Sequence, residues 1–449
     1  MPFSGDGKPW RLWLIATLAL AGFGITLWVF YPGVMTYDAK FVYEDMVKGF
    51  RGDWQSPVMT SLWALIDPIA PGSASMFLLI ATLYWLAFGV LALTVARISL
   101  GLAIALLLLA LSPPAFMFVG IIWRDVLFAG LWMLAAVLCF ALAERDGRLR
   151  LFVQTIALGL VAFGVLLRPN ALIAAPILVA YVAWPTRFRW KRAALLYVPA
   201  ALALLGLMQF VYYGVIGATH QHIVQTIMVY DLGGISHFAK ENQFPIAWTA
   251  EEERQLLNTC YRSKEWDGYW RYEPCEFVMQ KLEKEQHLFG TPVVTKAWLT
   301  AILRHPIAYL EHRAAFFWNF MVTDDKITLW VFNIEDLSKP VLNGRAGFAA
   351  MAALDRALNQ TPFLRVGPWL LLCFVICALA WRRRDTPSGT FVLGVAGSAA
   401  LYMLSFFPLG LAPDFRYAYW AVIADLCGVV VLAMRHAQPS APVEEGDRS

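Results

Sequence analysis

Asp38 stands in Tyr31-Pro32-Gly33-Val34-Met35-Thr36-Tyr37-Asp38, directly after the first long apolar run, where a carboxylate could take a proton from an incoming hydroxyl. The same loop adds Glu44 and Asp53 as further acids. Farther along come Arg124 and Asp125 in Ile121-Ile122-Trp123-Arg124-Asp125-Val126, Arg168 and Asn170 in Leu167-Arg168-Pro169-Asn170, and Asp414, Arg416 and Tyr417 in Pro413-Asp414-Phe415-Arg416-Tyr417. Arginine suits a phosphate, because its planar fork binds two oxygens at once and keeps its charge. Each group also has a plain structural reading: Arg124 with Asp125 as a helix-end pair, Arg168 as a snorkelling side chain, Asp414 with Arg416 as a pin for the last loop.

What must position these residues is a membrane bundle. The chain is 59% hydrophobic and 15% charged over 449 residues, with a mean hydropathy of +0.57, well beyond a soluble domain. Crossing the hydrocarbon takes about 20 apolar residues in a helix that satisfies its own backbone. That rule predicts roughly ten transmembrane helices, an all-α polytopic fold. They are placed at residues 11–31, 74–98, 99–118, 124–143, 151–167, 170–185, 193–216, 366–381, 390–409 and 416–435. The first is longer than a signal-peptide core and is expected to be retained.

Lys8 and Arg11, Arg97, Arg145 to Arg150, Arg187 to Arg192, Arg382 to Arg384 and Arg435 fall at every second boundary. Basic loops stay in the cytoplasm, so both termini are predicted cytoplasmic and the polar motifs above share the opposite, outer face. The net charge of +4 follows these loops and gives no basic domain for nucleic acid. Intramembrane and membrane-edge charges are costly unless they face a bundle interior or an aqueous cavity, so the motifs should converge. A divalent cation between Asp38 and Asp125 is chemically reasonable, although no dense acidic cluster demands one.

The predicted organisation is an N-terminal membrane module, 1–216, whose first outer loop is 32–73, then a mainly helical outer segment, 217–365, C-terminal spans, 366–437, and an unstructured cytoplasmic tail, 438–449. Within the first loop, Val58 to Ile66 is too short to span and reads as an interfacial helix with Trp63 at headgroup level. Asp53-Trp54-Gln55-Ser56-Pro57 reads either as a second acidic candidate or as a turn stabilising that helix. In the outer segment, Thr249 to Leu257 looks like a capped helix start. Residues 306–333 are apolar and aromatic but broken by Glu311, His312, Arg313 and Asp324-Asp325-Lys326, and are expected to be partly embedded without crossing.

Cys260 and Cys275 lie together in this segment and are expected to form a disulfide, which suits an oxidising compartment. Trp266, Tyr269, Trp270 and Tyr272 between them suit core packing better than sugar stacking. Cys139, Cys373, Cys377 and Cys427 fall in predicted spans as small apolar side chains. The histidines, His220 and His222 included, lack metal-ligand spacing. Tyr230-Asp231-Leu232-Gly233-Gly234-Ile235-Ser236 lacks the lysine and strand–turn–helix context of a phosphate loop. Asp425, deep in the last span, suits a hydrogen bond inside the bundle, or proton coupling in a transporter.

The succession Tyr31-Pro32-Gly33 to Asp38, Asp53-Trp54-Gln55-Ser56-Pro57, Trp123-Arg124-Asp125, Arg168-Pro169-Asn170 and Asp414-Phe415-Arg416-Tyr417-Ala418-Tyr419-Trp420 resembles bacterial members of the GT-C superfamily. These are membrane glycosyltransferases that use polyprenyl-phosphate sugars, related to the protein mannosyltransferases and the lipid A aminoarabinose transferases. The resemblance implies a GT-C-like fold in the bacterial inner membrane. It implies an inverting transfer at the periplasmic face from a polyprenyl-phosphate sugar donor to an envelope glycan, lipid or protein. Asp38 would be the catalytic acid of the first loop and Arg124–Asp125 the second-loop pair. Here Asp38 is followed by Ala39 where the commonest family pattern has an adjacent acidic pair, so the base and any metal requirement stay open. The competing class is a transporter or flippase of a lipid-linked glycan, which would need charges on both faces and helices broken at the midplane.

Overall fold

The computed structural model describes residues 9–270, 273–322, 342 and 345–434. Of the residues named above, Lys8, Tyr272, Asp324, Asp325, Lys326, Arg435 and the tail from Gln438 lie outside these. The protein is an all-α polytopic membrane protein; among the described residues the β-structure amounts to isolated bridges.

The first half runs α1 (Pro9–Phe30), α2 (Tyr37–Val47), α3 (Pro57–Ile66), α4 (Ser73–Ala96), α5 (Leu100–Ala110), α6 (Pro113–Val119), α7 (Arg124–Ala141), α8 (Arg148–Leu167), α9 (Ala175–Ala183) and α10 (Trp190–Gln209). Then follow α11 (Val224–Ala239), α12 (Ala250–Asn258), α13 (Phe277–Met279), α14 (Pro292–Arg304) and α15 (Pro306–Val322). The chain closes with α16 (Ala346–Leu358), α17 (Val366–Trp381), α18 (Pro387–Leu404), α19 (Phe406–Leu409) and α20 (Tyr419–Ala433).

Among the described residues, 7 helices are long and apolar enough to cross a bilayer, with α5 and α6 forming a further pair bent by 57°. The bend falls where Pro113 and Pro114 follow Ser112, since proline cannot continue the hydrogen-bond ladder. The predicted span 170–185 is different: a 3₁₀ turn, Pro169–Ile173, precedes a 9-residue α9. Pro169 and Pro176 interrupt the run, and nine residues rise only about 14 Å. α17 has 16 residues, short of the span length.

α7 is the hub. In its most apolar stretch 83% of residues are buried, against 11% in the helix Trp190–Val215, which faces outward. A helix apolar on all sides belongs inside a bundle. Trp132 of α7 donates its indole N–H to Val161 O of α8 at 3.0 Å and meets Trp420 of α20 edge to face. Tyr181 of α9 donates to Ala136 O of α7 at 3.0 Å.

The loops are drawn together at one end of this bundle. Gly33, at φ +100°, turns the chain after Tyr31-Pro32, a conformation that a side chain would disfavour. Val34 then pairs with the second loop: its N–H donates to Gly120 O at 2.8 Å, and Ile122 N–H donates back to Val34 O at 3.1 Å. Gly120 is needed for that approach, since a Cβ there would lie 2.2 Å from the Phe30 ring. Trp123 donates its indole N–H to Thr36, the N-cap of α2, at 2.9 Å. Ser56 caps α3 and donates to Leu166 O at the end of α8 at 2.8 Å.

α3 exposes Leu65, with Ile69 just beyond, in keeping with an interfacial helix, but Trp63 is not at a rim. It is fully buried, packs on Tyr43 and donates to Gly72 O at 3.0 Å, because the α2–α3 hairpin closes over it. In the 217–365 segment, Thr249 and Glu252 form a capping box at the start of α12. Cys260 and Cys275 are joined by a disulfide with Cα atoms 5.5 Å apart. The Tyr230–Ser236 stretch is helical: Gly233 and Gly234 admit Tyr269 and His312 against α11.

Candidate active site

α2 begins at Tyr37, so Asp38 sits in its first turn, where the helix dipole favours a negative charge. α7 begins at Arg124, which puts Arg124 and Asp125 at its mouth. α8 stops at Leu167 because Pro169 forces Arg168 into an extended conformation (φ −134°, ψ 92°). Asp414 precedes a 3₁₀ turn, Phe415–Ala418, that carries Arg416 and Tyr417 into α20.

These ends meet. Arg416 donates to Asp38 Oδ2 at 2.5 Å and lies 3.3 Å from Asp414 Oδ2. Arg168 pairs with Asp125 at 3.0 Å, and its Nε lies 3.2 Å from the Tyr402 hydroxyl. The Tyr417 ring lies against both cations, 4.8 Å from the Arg168 guanidinium and 5.1 Å from that of Arg416, which also lies 5.0 Å from the Trp123 ring. Stacking on rings orients guanidinium planes and shields them from water.

The two acids are in different settings. Asp125 and Arg168 are almost completely buried, with side chains 2% and 7% exposed. Asp38 keeps 40% of its side chain exposed and lines a small pocket with Gln55, Met59, Trp123, Arg124 and Asp125. The pocket holds about 10 Å³, room for a single water, so a larger ligand requires the loops to part. Partial burial opposes the charge of Asp38, and Arg416, Arg124 and Arg168 overcome it, holding the carboxyl below the usual range. Arg124 lines the pocket and, among the described residues, is held by no ion pair within 4.0 Å.

Asp414 moves the other way. Burial pushes its carboxyl up to about 6, with Asp38, Asp125 and Asp267 adding to the shift against Arg416. An acid with a raised folded-state pKa takes up a proton on folding, so its contribution to stability declines as pH rises from about 4 to about 6. The full effect is on the order of 2–3 kcal/mol. Asp414→Asn should therefore unfold at the same temperature as the native chain, or lower, near pH 4. Relative to it the variant should gain thermal stability by pH 7; parallel melting curves across that range would contradict the assignment.

The remaining candidates stand apart. Glu44 is on the outward side of α2 between Lys40 and Lys48, at 3.8 and 3.6 Å. Asp53 ties the first loop to the chain after α10, accepting from Tyr213 OH at 2.8 Å and from Gln221 N–H at 2.7 Å. Asn170 is half-buried on the 3₁₀ turn after Arg168. Asp425 is fully buried on α20, against Cys373 and Cys377 of α17.

Trp123, Gln55 and Tyr402 join the site although sequence reasoning did not select them. Trp123 offered a signal, an aromatic directly before an Arg–Asp pair at a span mouth; Tyr402 offered none.

A divalent cation does not fit between Asp38 and Asp125. Each carboxylate already faces an arginine, and a cation there would meet Arg124, Arg168 and Arg416 at close range.

No protein-family model matches the chain, and no curated protein matches it. Among solved structures, the chain is similar to that of ArnT from Cupriavidus metallidurans, a crystal structure bound to undecaprenyl phosphate. The identity is 14% over 88% of this chain and 77% of that one, with a TM-score of 0.34.

Proposed function

We propose that the protein is an inverting membrane glycosyltransferase of the GT-C type, moving a sugar from a polyprenyl-phosphate donor to a hydroxyl of an envelope glycan, lipid or protein. The observation that carries this is an accessible, ionised Asp38 facing Arg416, with Arg124, which has no ion pair among the described residues, beside it in the same pocket. Asp38 takes the proton of the acceptor hydroxyl, and the acceptor oxygen attacks the anomeric carbon from the face opposite the phosphate. The bond from that carbon to the phosphate oxygen breaks, and the polyprenyl phosphate leaves with the electron pair.

Arg124 and Arg416 neutralise the charge that develops on the leaving phosphate. As Arg416 turns to the phosphate, Asp38 loses its cation and becomes a stronger base. Arg168, occupied by Asp125 and Tyr402, supplies a positive field behind them and fixes Tyr417. In this reading the site opens on the periplasmic side of a bacterial inner membrane and both termini are cytoplasmic, as the basic loops require. The 1–216, 217–365 and 366–437 division assigns the chemistry to the two membrane modules and acceptor contacts to the segment between them.

The test is binding of a polyprenyl phosphate to the detergent-purified protein, followed by tryptophan fluorescence, since Trp123 lies on Arg416. Saturable binding that a polyprenol without phosphate does not compete for is expected. Arg416→Ala should weaken it by about tenfold or more, the scale of a lost charge-assisted hydrogen bond. Equal binding of the polyprenol, or an indifferent Arg416→Ala, would overturn the reading.

A further inference from the structure

Outside the site, a buried polar cluster joins α11, α14 and α15. Asp231, His312 and Arg313 are all fully buried. Asp231 accepts the Trp298 indole N–H at 2.7 Å, and its other oxygen lies 2.6 Å from Arg313 Nε and 3.1 Å from His312 Nε2. Burial keeps His312 neutral, so Nε2–H faces the carboxylate and Nδ1 accepts from the Tyr261 hydroxyl at 3.0 Å. Buried ion pairs are expensive, and an apolar replacement often folds as well, so stability alone is a weak reason for one.

The cluster reaches past its own segment. Arg313 Nη1 donates to Gly410 O at 2.9 Å, in the loop that leads to Asp414 and Arg416. The neighbouring carbonyl, Leu411 O, accepts from Trp266 N–H at 3.3 Å, from inside the Cys260–Cys275 loop. Gly410 has no room for a side chain, since a Cβ would lie 2.0 Å from Phe316 of α15. Phe320 of α15 stacks on Phe406, which stacks on Tyr417, the ring between Arg168 and Arg416. Segment 217–365 therefore grips the last loop by successive carbonyls on one side and an aromatic stack on the other.

We propose that Arg313, oriented by Asp231, is a positioning residue for the candidate active site: by fixing the Gly410 carbonyl it sets the last loop so that Arg416 and Asp414 stand against Asp38. The inference rests on the phosphate-binding reading of that site. His312 shares the cluster and its burial, but among the described residues its ring pairs with Asp231 and Tyr261 and makes no hydrogen bond to the last loop, which makes it the control.

Polyprenyl phosphate binding to the detergent-purified full chain is measured for Arg313→Lys, Gly410→Ala, His312→Asn and Arg416→Ala, each with its melting temperature. Arg313→Lys keeps a charge for Asp231 but loses the fork that also reaches Gly410. It should weaken the lipid about tenfold. Gly410→Ala, which moves the same carbonyl from the Phe316 side, should do likewise and reads the effect if the lysine variant does not fold. His312→Asn should lower the melting temperature and leave affinity within about twofold, a difference below 0.5 kcal/mol. Native affinity in both Arg313→Lys and Gly410→Ala, or an equal loss in His312→Asn, reduces the cluster to structural glue and overturns the proposal. Native affinity in Arg416→Ala overturns the phosphate reading itself, and the proposal with it.

Discussion

Asp38→Asn should lower sugar transfer by about 10²–10⁴-fold, the range set by removing a general base, while the protein still expresses and folds. The asparagine keeps the size of the side chain and an oxygen for Arg416, but it cannot take the acceptor proton. Its effect on stability should be small, because the Asp38 side chain is 40% exposed and an ion pair so placed contributes about 1 kcal/mol or less. The measurement is turnover of a radiolabelled polyprenyl-phosphate sugar in a reconstituted membrane, beside a melting curve. Asp53→Asn and Glu44→Gln are the comparison. The first should cost stability through Tyr213 and Gln221, and the second almost nothing, with turnover kept in both. Turnover within a few fold of native in Asp38→Asn would remove Asp38 as the base, and a collapse in Asp53→Asn at unchanged stability would move the role there.

The second large effect is on folding. Arg168→Met removes the cation that neutralises Asp125, whose side chain is 2% exposed and whose pair lies at 3.0 Å. A buried carboxylate left without its partner costs about 3–5 kcal/mol, a large part of a marginal stability. The variant should express poorly or melt well below native. Adding Asp125→Asn should recover much of the loss, since both charges are then gone and the remaining amide can still hydrogen-bond. If Arg168→Met alone melts like native, the pair does not hold the loops together. Binding of polyprenyl phosphate by the double variant reads the field that Arg168 contributes, separately from the fold.

Much of the bundle was legible because spanning helices obey one constraint, a run of apolar residues long enough to satisfy the backbone in hydrocarbon. The predicted 11–31 and 74–98 meet α1 and α4 within a few residues, whereas 366–381 coincides with α17 in its bounds but is too short to count among the spans. The run 170–185 misled because composition does not reveal that Pro169 and Pro176 divide it into a 3₁₀ turn and a short helix. Trp63 misled for another reason: an aromatic in a short apolar helix fits an interface as well as a hairpin core, and only packing against Tyr43 distinguishes them.

Within the site, Asp38, Arg124, Asp125, Arg168, Asp414, Arg416 and Tyr417 come together, and Glu44 and Asp53 do not. Glu44 is six residues beyond Asp38 on one helix, which turns it roughly 120° away. Asp53 lies past the end of α2, where the chain pairs with Thr219. The Asp231–Arg313 pair went unread because its members, far apart in sequence, lie in an apparent glycine motif and an apolar run. In hindsight, adjacent glycines inside a helix mark the close approach that His312 and Tyr269 make.

The residues alone were enough to place this chain in a membrane and its charges at the span ends, with the acid-bearing motifs at boundaries other than those of the basic clusters, because hydrocarbon excludes charge and unpaired backbone alike. The pairings follow from the packing of the bundle. Arg416 reaches Asp38 across 378 residues, Arg168 goes to Asp125, and Arg124 is left unpaired among the described residues. The physical reason is that carboxylates and guanidiniums are interchangeable in composition and become distinct only by distance. The Val34–Ile121 bridge, the packing around α7 and the grip on Gly410 set those distances.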